Sequence, residues 1–316
     1  MSSIRAAEFL AISLHPAIDR TISIERFRPG GMIRGKLLLA EPGGKGINVI
    51  RDLSRLGHRV AALGFLGRWE AEYFLADLDP KRVRSHFVIV DSPTRQNITL
   101  VETATGGDTH IVSGKLTVRR GDLAELLRRV RRHALPDQCA LLSGSLPEGM
   151  TERDYRRLLE LCRARGMRLC LDTSGPMLRC ALDMRPWALK PNRSELEELV
   201  GRPLTSRGKI LAAARGLLDR CPNLLISLGG EGALLVTAGG AWHAQEKPAA
   251  PVLHTVGSGD ALFSGFLSAL ARGKDPAGAL RFAVACGSAC VRSRFASLQS
   301  AVAPRELLKR IIVHPL

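Results

Sequence analysis

The sequence lacks any long apolar run. Hydrophobic residues come in short stretches such as 140–142 and 169–171, never in the roughly 18 consecutive positions that a membrane span needs. No basic segment followed by an uninterrupted apolar stretch and a small-residue cleavage site opens the chain, so a cytoplasmic protein is expected. Pairing signals for cysteine are also missing. The seven cysteines are scattered singly from Cys139 to Cys290 and form no C-x-x-C pair, which reads as reduced core thiols rather than a metal or redox centre. Aromatic residues make up only 4% of the chain, leaving little material for stacking on single-stranded nucleic acid.

Positive charge, by contrast, is abundant: 46 Lys and Arg against 30 Asp and Glu give a formal +16. The densest cluster is Arg128, Arg129, Arg131 and Arg132, yet Leu123, Leu126, Leu127, Val130 and Ala134 recur at helical spacing through it. Those arginines then form the wet face of an amphipathic helix. No nucleic-acid motif accompanies the charge, so neither nucleic acid nor membrane is expected as a partner, and the basic surface favours small anionic substrates.

With 316 residues and 45% hydrophobic composition, the chain can bury one large core. Apolar strands alternate with amphipathic helices, the signature of an α/β domain whose mostly parallel sheet is covered on both faces. Strands are expected at 9–14, 60–66, 139–142, 168–171, 224–228 and 233–236. Helices are expected at about 46–56, 151–165 and 192–200, with two long ones starting at Asp260 and Pro276. Thr151 and Asp154 have the spacing of a capping box. Two segments break the rhythm, 18–41 and 97–112. Both read as paired strands outside the main sheet, the second around the turn Gly106-Gly107-Asp108. The expectation is therefore a single domain over 1–316 carrying a small sheet as a lid, the device that excludes water from phosphoryl transfer.

Four motifs carry chemistry. In Thr255-Val256-Gly257-Ser258-Gly259-Asp260 a glycine turn runs into an apolar helix. Free N–H groups there suit a phosphate in transfer, with Asp260 placed to accept a proton; a plain loop with Asp260 as helix cap suits the same residues. The helix N-terminus is expected to prevail over burial and keep Asp260 ionised. In Glu41-Pro42-Gly43-Gly44-Lys45-Gly46-Ile47-Asn48, three glycines admit close backbone approach while Lys45 and Asn48 supply donors. Lys190-Pro191-Asn192-Arg193-Ser194-Glu195 suits either water-mediated contact with Mg²⁺ or a simple capping box. Ser227-Leu228-Gly229-Gly230-Glu231-Gly232 is either a nucleotide-passing turn or a plain hairpin. Neither G-x-x-x-x-G-K-[ST] nor a strand followed by G-x-G-x-x-G occurs, which excludes P-loop and Rossmann readings.

In this order the segments resemble the PfkB or ribokinase-like family of carbohydrate kinases over nearly the whole chain, with residues 43–48 similar to its first signature and 255–266 to its second. His15-Pro16-Ala17-Ile18-Asp19, the 93–97 segment and Ser143-Gly144-Ser145 resemble the sugar-phosphate branch, which holds 1-phosphofructokinase, tagatose-6-phosphate kinase and the minor 6-phosphofructokinase. The resemblance implies a ribokinase-like three-layer α/β sandwich with a small β-sheet lid, ATP and Mg²⁺ as cofactors, and a homodimer joined through the lids. It implies phosphorylation of a ketohexose phosphate, fructose 1-phosphate first, with tagatose 6-phosphate and fructose 6-phosphate as alternatives. It assigns Asp260 as base and Gly257, Ser258 and Gly259 as the anion hole. Asp19, Gly43, Gly44 and Asn48 fall to the sugar, and Lys45, Arg95, Arg34 and Ser145 to the phosphate already on it. Lys190, Asn192, Ser227, Gly229, Gly232 and Thr255 fall to the nucleotide, and Glu195 to Mg²⁺ through water. Three residues depart from the family pattern: Ser258 for Ala, His15 for Asn, and Met32 near a Lys of the minor 6-phosphofructokinase.

Overall fold

Strands whose residues are apolar on both faces build the centre of the fold. In Phe9–Ser13, Leu10 and Ile12 pack into one core, Phe9 and Ala11 into the other. In Cys139–Ser143 the same alternation sends Ala140 and Leu142 one way and Cys139 and Leu141 the other. A strand buried on both faces needs a helix layer on each side. Helices Arg120–His133, Glu152–Ala164 and Arg207–Arg215 cover one face through Leu123, Leu158 and Ile210. Helices Lys45–Arg55, Ser258–Ala271 and Pro276–Cys290 cover the other through Ile50, Phe263 and Leu280. The computed structural model describes residues 7–247, 252, 254–293, 295–300 and 302–316; residues 1–6 of the expected 1–316 unit lie outside the described residues.

Among the described residues the main sheet has eleven strands. From Val83–Ser85 it runs through Val60–Gly67, Phe9–Ser13, Cys139–Ser143, Arg168–Asp172 and Ala188–Leu189 to Asn223–Ser227, all parallel. Ala233–Thr237, Gly240–Glu246 and Ile311–Pro315 then continue it antiparallel, and the eleventh strand, Val88–Val90, pairs in parallel with the end of Val60–Gly67. The last two strands were not legible beforehand, because Gly240–Glu246 and Ile311–Pro315 mix polar with apolar residues at a sheet edge. Glu152–Ala164 starts as its spacing predicts. Thr151 accepts from the Asp154 N–H, and the Asp154 carboxylate takes the Thr151 N–H at 2.9 Å. The arginine-rich helix buries Leu123, Leu126, Leu127 and Val130 and leaves Arg128, Arg131 and Arg132 exposed.

A separate four-stranded sheet is formed by Lys36–Gly43, Ala17–Ile24, Arg95–Glu102 and Asp108–Ser113, in that order. Ala17–Ile24 pairs in parallel with Arg95–Glu102, placing Ala17 opposite Arg95 and Asp19 opposite Asn97. Leu37, Leu38, Ile111 and Val112 on this sheet are exposed. Together the mostly parallel main sheet, its two helix layers and the small sheet make the ribokinase-like α/β fold.

Candidate active site

In a parallel sheet, ligands bind beyond the carboxyl ends of the strands. Here Ser13, Ser143, Asp172, Leu189 and Ser227 end five strands at one edge, and the small sheet stands over that edge. The cleft between them holds a cavity of about 330 Å³. Asp19, Arg95 and Asn97 line it from the small sheet, Gly44, Lys45 and Asn48 from the first helix, and Lys190, Asn192, Thr255, Gly257, Gly259 and Asp260 from the main domain.

Asp260 sits in the cleft as the third residue of Ser258–Ala271, so the helix starts two residues before its expected start. Gly257 takes the N-cap position with φ +75°, and a Cβ there would stand 1.8 Å from the Ala296 carbonyl oxygen. Only glycine allows this approach. Asp260 makes no capping bond. It is 4% exposed, and its Oδ2 accepts from Asn48 Nδ2 at 2.8 Å. It stands at the helix position from which Asp154 and Glu195 cap theirs, yet its carboxylate makes no such bond and lines the cleft instead. Burial, and after it the Asp172 carboxylate, push the Asp260 carboxyl up to about 7 against the pull of Lys45, Asn48 and Lys190. The expectation that the helix N-terminus prevails is corrected: desolvation and a second buried carboxylate outweigh the partial charge of one helix end.

On the lid side, Asp19 accepts from Asn97 Nδ2 at 2.7 Å. Gly43 makes room for it, since a Cβ there would lie 2.0 Å from Asp19 Oδ2. Arg95 reaches from the lid to donate to the carbonyls of His15 at 3.2 Å and Pro16 at 3.4 Å. The same His15 places Nδ1 3.0 Å from Ser145 Oγ. Burial, with Arg95 beside it, lowers the His15 imidazole to about 4, so it stands neutral at physiological pH. Arg95 and Ser145, far apart in sequence, are thus bridged by one residue. Three expected residues line neither cavity of this region: Gly43, which sits under Asp19; Ser145; and Arg34, which lies exposed between two lid strands. Met32, in the same loop, is 89% exposed.

A second cavity of about 360 Å³ adjoins the first and shares Asn192, Ser227, Thr255 and Gly259 with it. Gly229, Gly232 and Ser258 line it with the apolar Leu262, Val284 and Val291. Gly232 has φ +85° and faces the Ala244 carbonyl, where a Cβ would stand at 2.0 Å. Asn192 and Glu195 form the reciprocal capping box: Asn192 Oδ1 takes the Glu195 N–H and Glu195 Oε2 takes the Asn192 N–H, both at 2.8 Å. Glu195 nonetheless lines the first cavity, and its Oε1 makes no hydrogen bond among the described residues.

Asp172 was not singled out beforehand. It is fully buried and paired with two cleft lysines, Lys45 Nζ on Oδ1 at 3.1 Å and Lys190 Nζ on Oδ2 at 3.2 Å. Although burial opposes ionisation, Lys190 and Lys45 hold its carboxyl below the usual range. The one sequence signal for it is an acid closing the apolar run 169–171 at a strand's carboxyl end.

A carboxylate at a helix mouth, beside a small sheet that carries Asp19 and Arg95 and next to a glycine-lined cavity, defines a phosphotransferase cleft. The chain belongs to the pfkB family of carbohydrate kinases, whose family model matches residues 14–301, and is a sugar-phosphate kinase. It is 38% identical over 269 residues to a 1-phosphofructokinase of Xanthomonas campestris, covering 83% of each chain. It is 33% identical over 281 residues to the 1-phosphofructokinase of Bacillus subtilis, covering 88% of this chain and 90% of that one. Phosphofructokinase-2 from Escherichia coli, solved in complex with potassium, superposes with a TM-score of 0.88 at 27% identity, covering 96% of this chain and 98% of that one.

Proposed function

We propose that the protein transfers the γ-phosphoryl group of ATP to the free primary hydroxyl of fructose 1-phosphate, with Asp260 as the base. The observation that carries this reading is the place of Asp260. Its carboxylate lines the lid-side cavity beside Gly259, which both cavities share, at the first turn of a helix whose N–H groups lack intrahelical partners. There one group can take the hydroxyl proton while the amides of 257–259 hold the transferring phosphoryl group. Asp19, Gly43, Gly44 and Asn48 would face the sugar; Arg95 and Lys45, with Ser145 and Arg34 at the margin, its phosphate. Lys190, Asn192, Ser227, Gly229, Gly232 and Thr255 would line the path of the nucleotide. Several relatives named 1-phosphofructokinase, at 29–38% identity, favour fructose 1-phosphate over tagatose 6-phosphate or fructose 6-phosphate. An ADP-release assay over these three sugar phosphates tests the choice. Fructose 1-phosphate is expected to give the highest kcat/KM, and a tenfold preference for either alternative would reassign the substrate.

Among the described residues no cluster of three or more His, Cys, Asp or Glu side chains could hold a metal ion. Mg²⁺ in this cleft would therefore be held by nucleotide phosphates and water, with the unbonded Oε1 of Glu195 as the protein's acceptor for such a water. When bound, the ion supplies charge neutralisation at the phosphates. Glu195→Gln keeps the capping acceptor but loses the charge. It is expected to raise the Mg²⁺ needed for half-maximal rate several-fold while moving the Tm little, since a whole cap is typically worth only about 1 kcal/mol and the accepting oxygen is kept. An unchanged Mg²⁺ titration would leave Glu195 as a cap alone.

The exposed Leu37, Leu38, Ile111 and Val112 of the small sheet support a homodimer joined through the lids; a monomer in sedimentation at micromolar concentration would remove that reading. Seven unpaired buried cysteines suit a reducing cytoplasm, and no helix among the described residues is long and apolar enough to cross a membrane.

A further inference from the structure

Asn48 meets the catalytic carboxylate through an amide, and an amide has two faces. One presents a donor and the other an acceptor, so its orientation decides whether Asp260 receives a proton donor or faces a second lone pair. Arg51 settles that orientation. Its Nη2 donates to Asn48 Oδ1 at 2.8 Å. A guanidinium has donors only, so it can bind only the oxygen of Asn48. The Nδ2 of Asn48 is then left facing Asp260 Oδ2, at 2.8 Å. Asn48 and Arg51 are each 2% exposed, so water is not there to compensate for the wrong orientation.

Arg51 is in turn held by groups that do not touch the cleft. Its Nη1 donates to Asp77 Oδ2 at 3.2 Å and to Glu41 Oε2 at 3.4 Å. Glu41 lies near the end of the lid strand Lys36–Gly43, and its Oε1 accepts the Ala296 N–H at 2.8 Å. The carbonyl of that same Ala296 packs against Gly257. One buried chain of hydrogen bonds therefore joins the root of the lid to the base and to Ala296, which packs on the turn that precedes the base.

We infer that Arg51 is a positioning residue for phosphoryl transfer: it locks Asn48 so that the amide NH₂ is presented to Oδ2 of Asp260, leaving Oδ1 to take the proton of the sugar hydroxyl. This rests on Asp260 being the base. The groups that face Asp260 from the packed elements are Asp172, Lys45, Lys190, Asp52 and Cys290. Arg51 itself lowers the Asp52 carboxyl and the Cys290 thiol, so Arg51→Met loses a charge as well as the Asn48 orientation, whereas Arg51→Lys keeps the charge, and a shifted titration of the base in Arg51→Lys reports the loss of the orientation.

Arg51→Met removes the guanidinium, and Arg51→Lys keeps a cation for Glu41 and Asp77 on a shorter, single-point donor. Asp77→Asn is the control, because it weakens the anchoring of Arg51 without touching Asn48. A hydrogen bond to a charged group is strong enough to move a carboxyl by about one unit or more. The acid limb of kcat/KM on fructose 1-phosphate is therefore expected to move up by about one pH unit in both Arg51 variants. Their kcat at pH 7 should fall about tenfold or more, with the KM for sugar phosphate and ATP within about threefold of the parent. Titration of the substrate's own phosphate is common to all variants and cancels. Asp77→Asn should lower the Tm and leave the limb in place. A folded Arg51→Lys protein with unchanged limb and kcat would overturn the inference, as would a limb that moves equally in Asp77→Asn. Turnover retained in Asp260→Asn would instead remove the base assignment beneath it, so the two failures are distinct.

Discussion

Asp260→Asn is expected to lower kcat about a hundredfold to ten-thousandfold on the preferred sugar phosphate with saturating MgATP. Asparagine keeps the size of the side chain and can still accept from Asn48 Nδ2, but it cannot take up the proton of the attacking hydroxyl. Both substrates should bind with near-normal affinity, because the helix amides and Arg95 are untouched. A residue that served only the helix would predict an active enzyme, since Asn suits a helix start about as well as Asp. Turnover within a few-fold of the parent would therefore defeat the mechanism. The pH dependence follows from the same carboxyl, which burial and Asp172 hold at about 7. A base works deprotonated, so parental kcat/KM should rise with pH through about 7 and fall away below it. Stability moves the opposite way. The folded chain holds the proton up to about 7, whereas an unfolded Asp releases it near its ordinary value of 3.8, so Asp260 contributes most to stability below 3.8 and that contribution is lost as pH rises through 7. Asp260→Asn should then melt at or above the parent at pH 8, separating lost chemistry from lost fold.

Arg95→Ala is expected to raise the KM for the sugar phosphate about ten- to a hundredfold, as loss of a hydrogen bond of about 1.5 to 3 kcal/mol to a charged group requires. The KM for ATP should hardly change, since Arg95 lines only the lid-side cavity. The carbonyls of His15 and Pro16 aim the guanidinium without neutralising it, which leaves its charge for a ligand. Lysine should restore little, because a point charge does not replace a planar fork. Equal effects on both KM values, or none on either, would remove Arg95 from the sugar-phosphate site.

Several elements were legible because their signals are local. The strand Phe9–Ser13 is apolar on both faces, Thr151 and Asp154 have the spacing of a cap, and Gly257 and Gly232 stand where a left-handed backbone or close approach is needed. Asp260, Lys45 and Asn48 could be picked out because each follows glycines at the mouth of a helix. Asp172, Arg51 and Glu41 could not. A buried acid at a strand end and an Arg inside an amphipathic helix look like ordinary solvated charges until their partners, up to 255 residues away in the case of Glu41 and Ala296, are known.

What the sequence alone determined is the alternation of strand and helix, the separate strand segments at about 18–41 and 97–112, and the residue types at each glycine turn, all of which depend on neighbours along the chain. What the tertiary structure decided is the state of those residues. It starts the helix that carries Asp260 at Ser258, leaves that carboxylate without a capping bond, and brings Asp172 close enough to lift Asp260. It also leaves Arg34 on an exposed loop. The physical reason is that packing, desolvation and charge coupling act through space between residues far apart along the chain, at distances that only the fold sets.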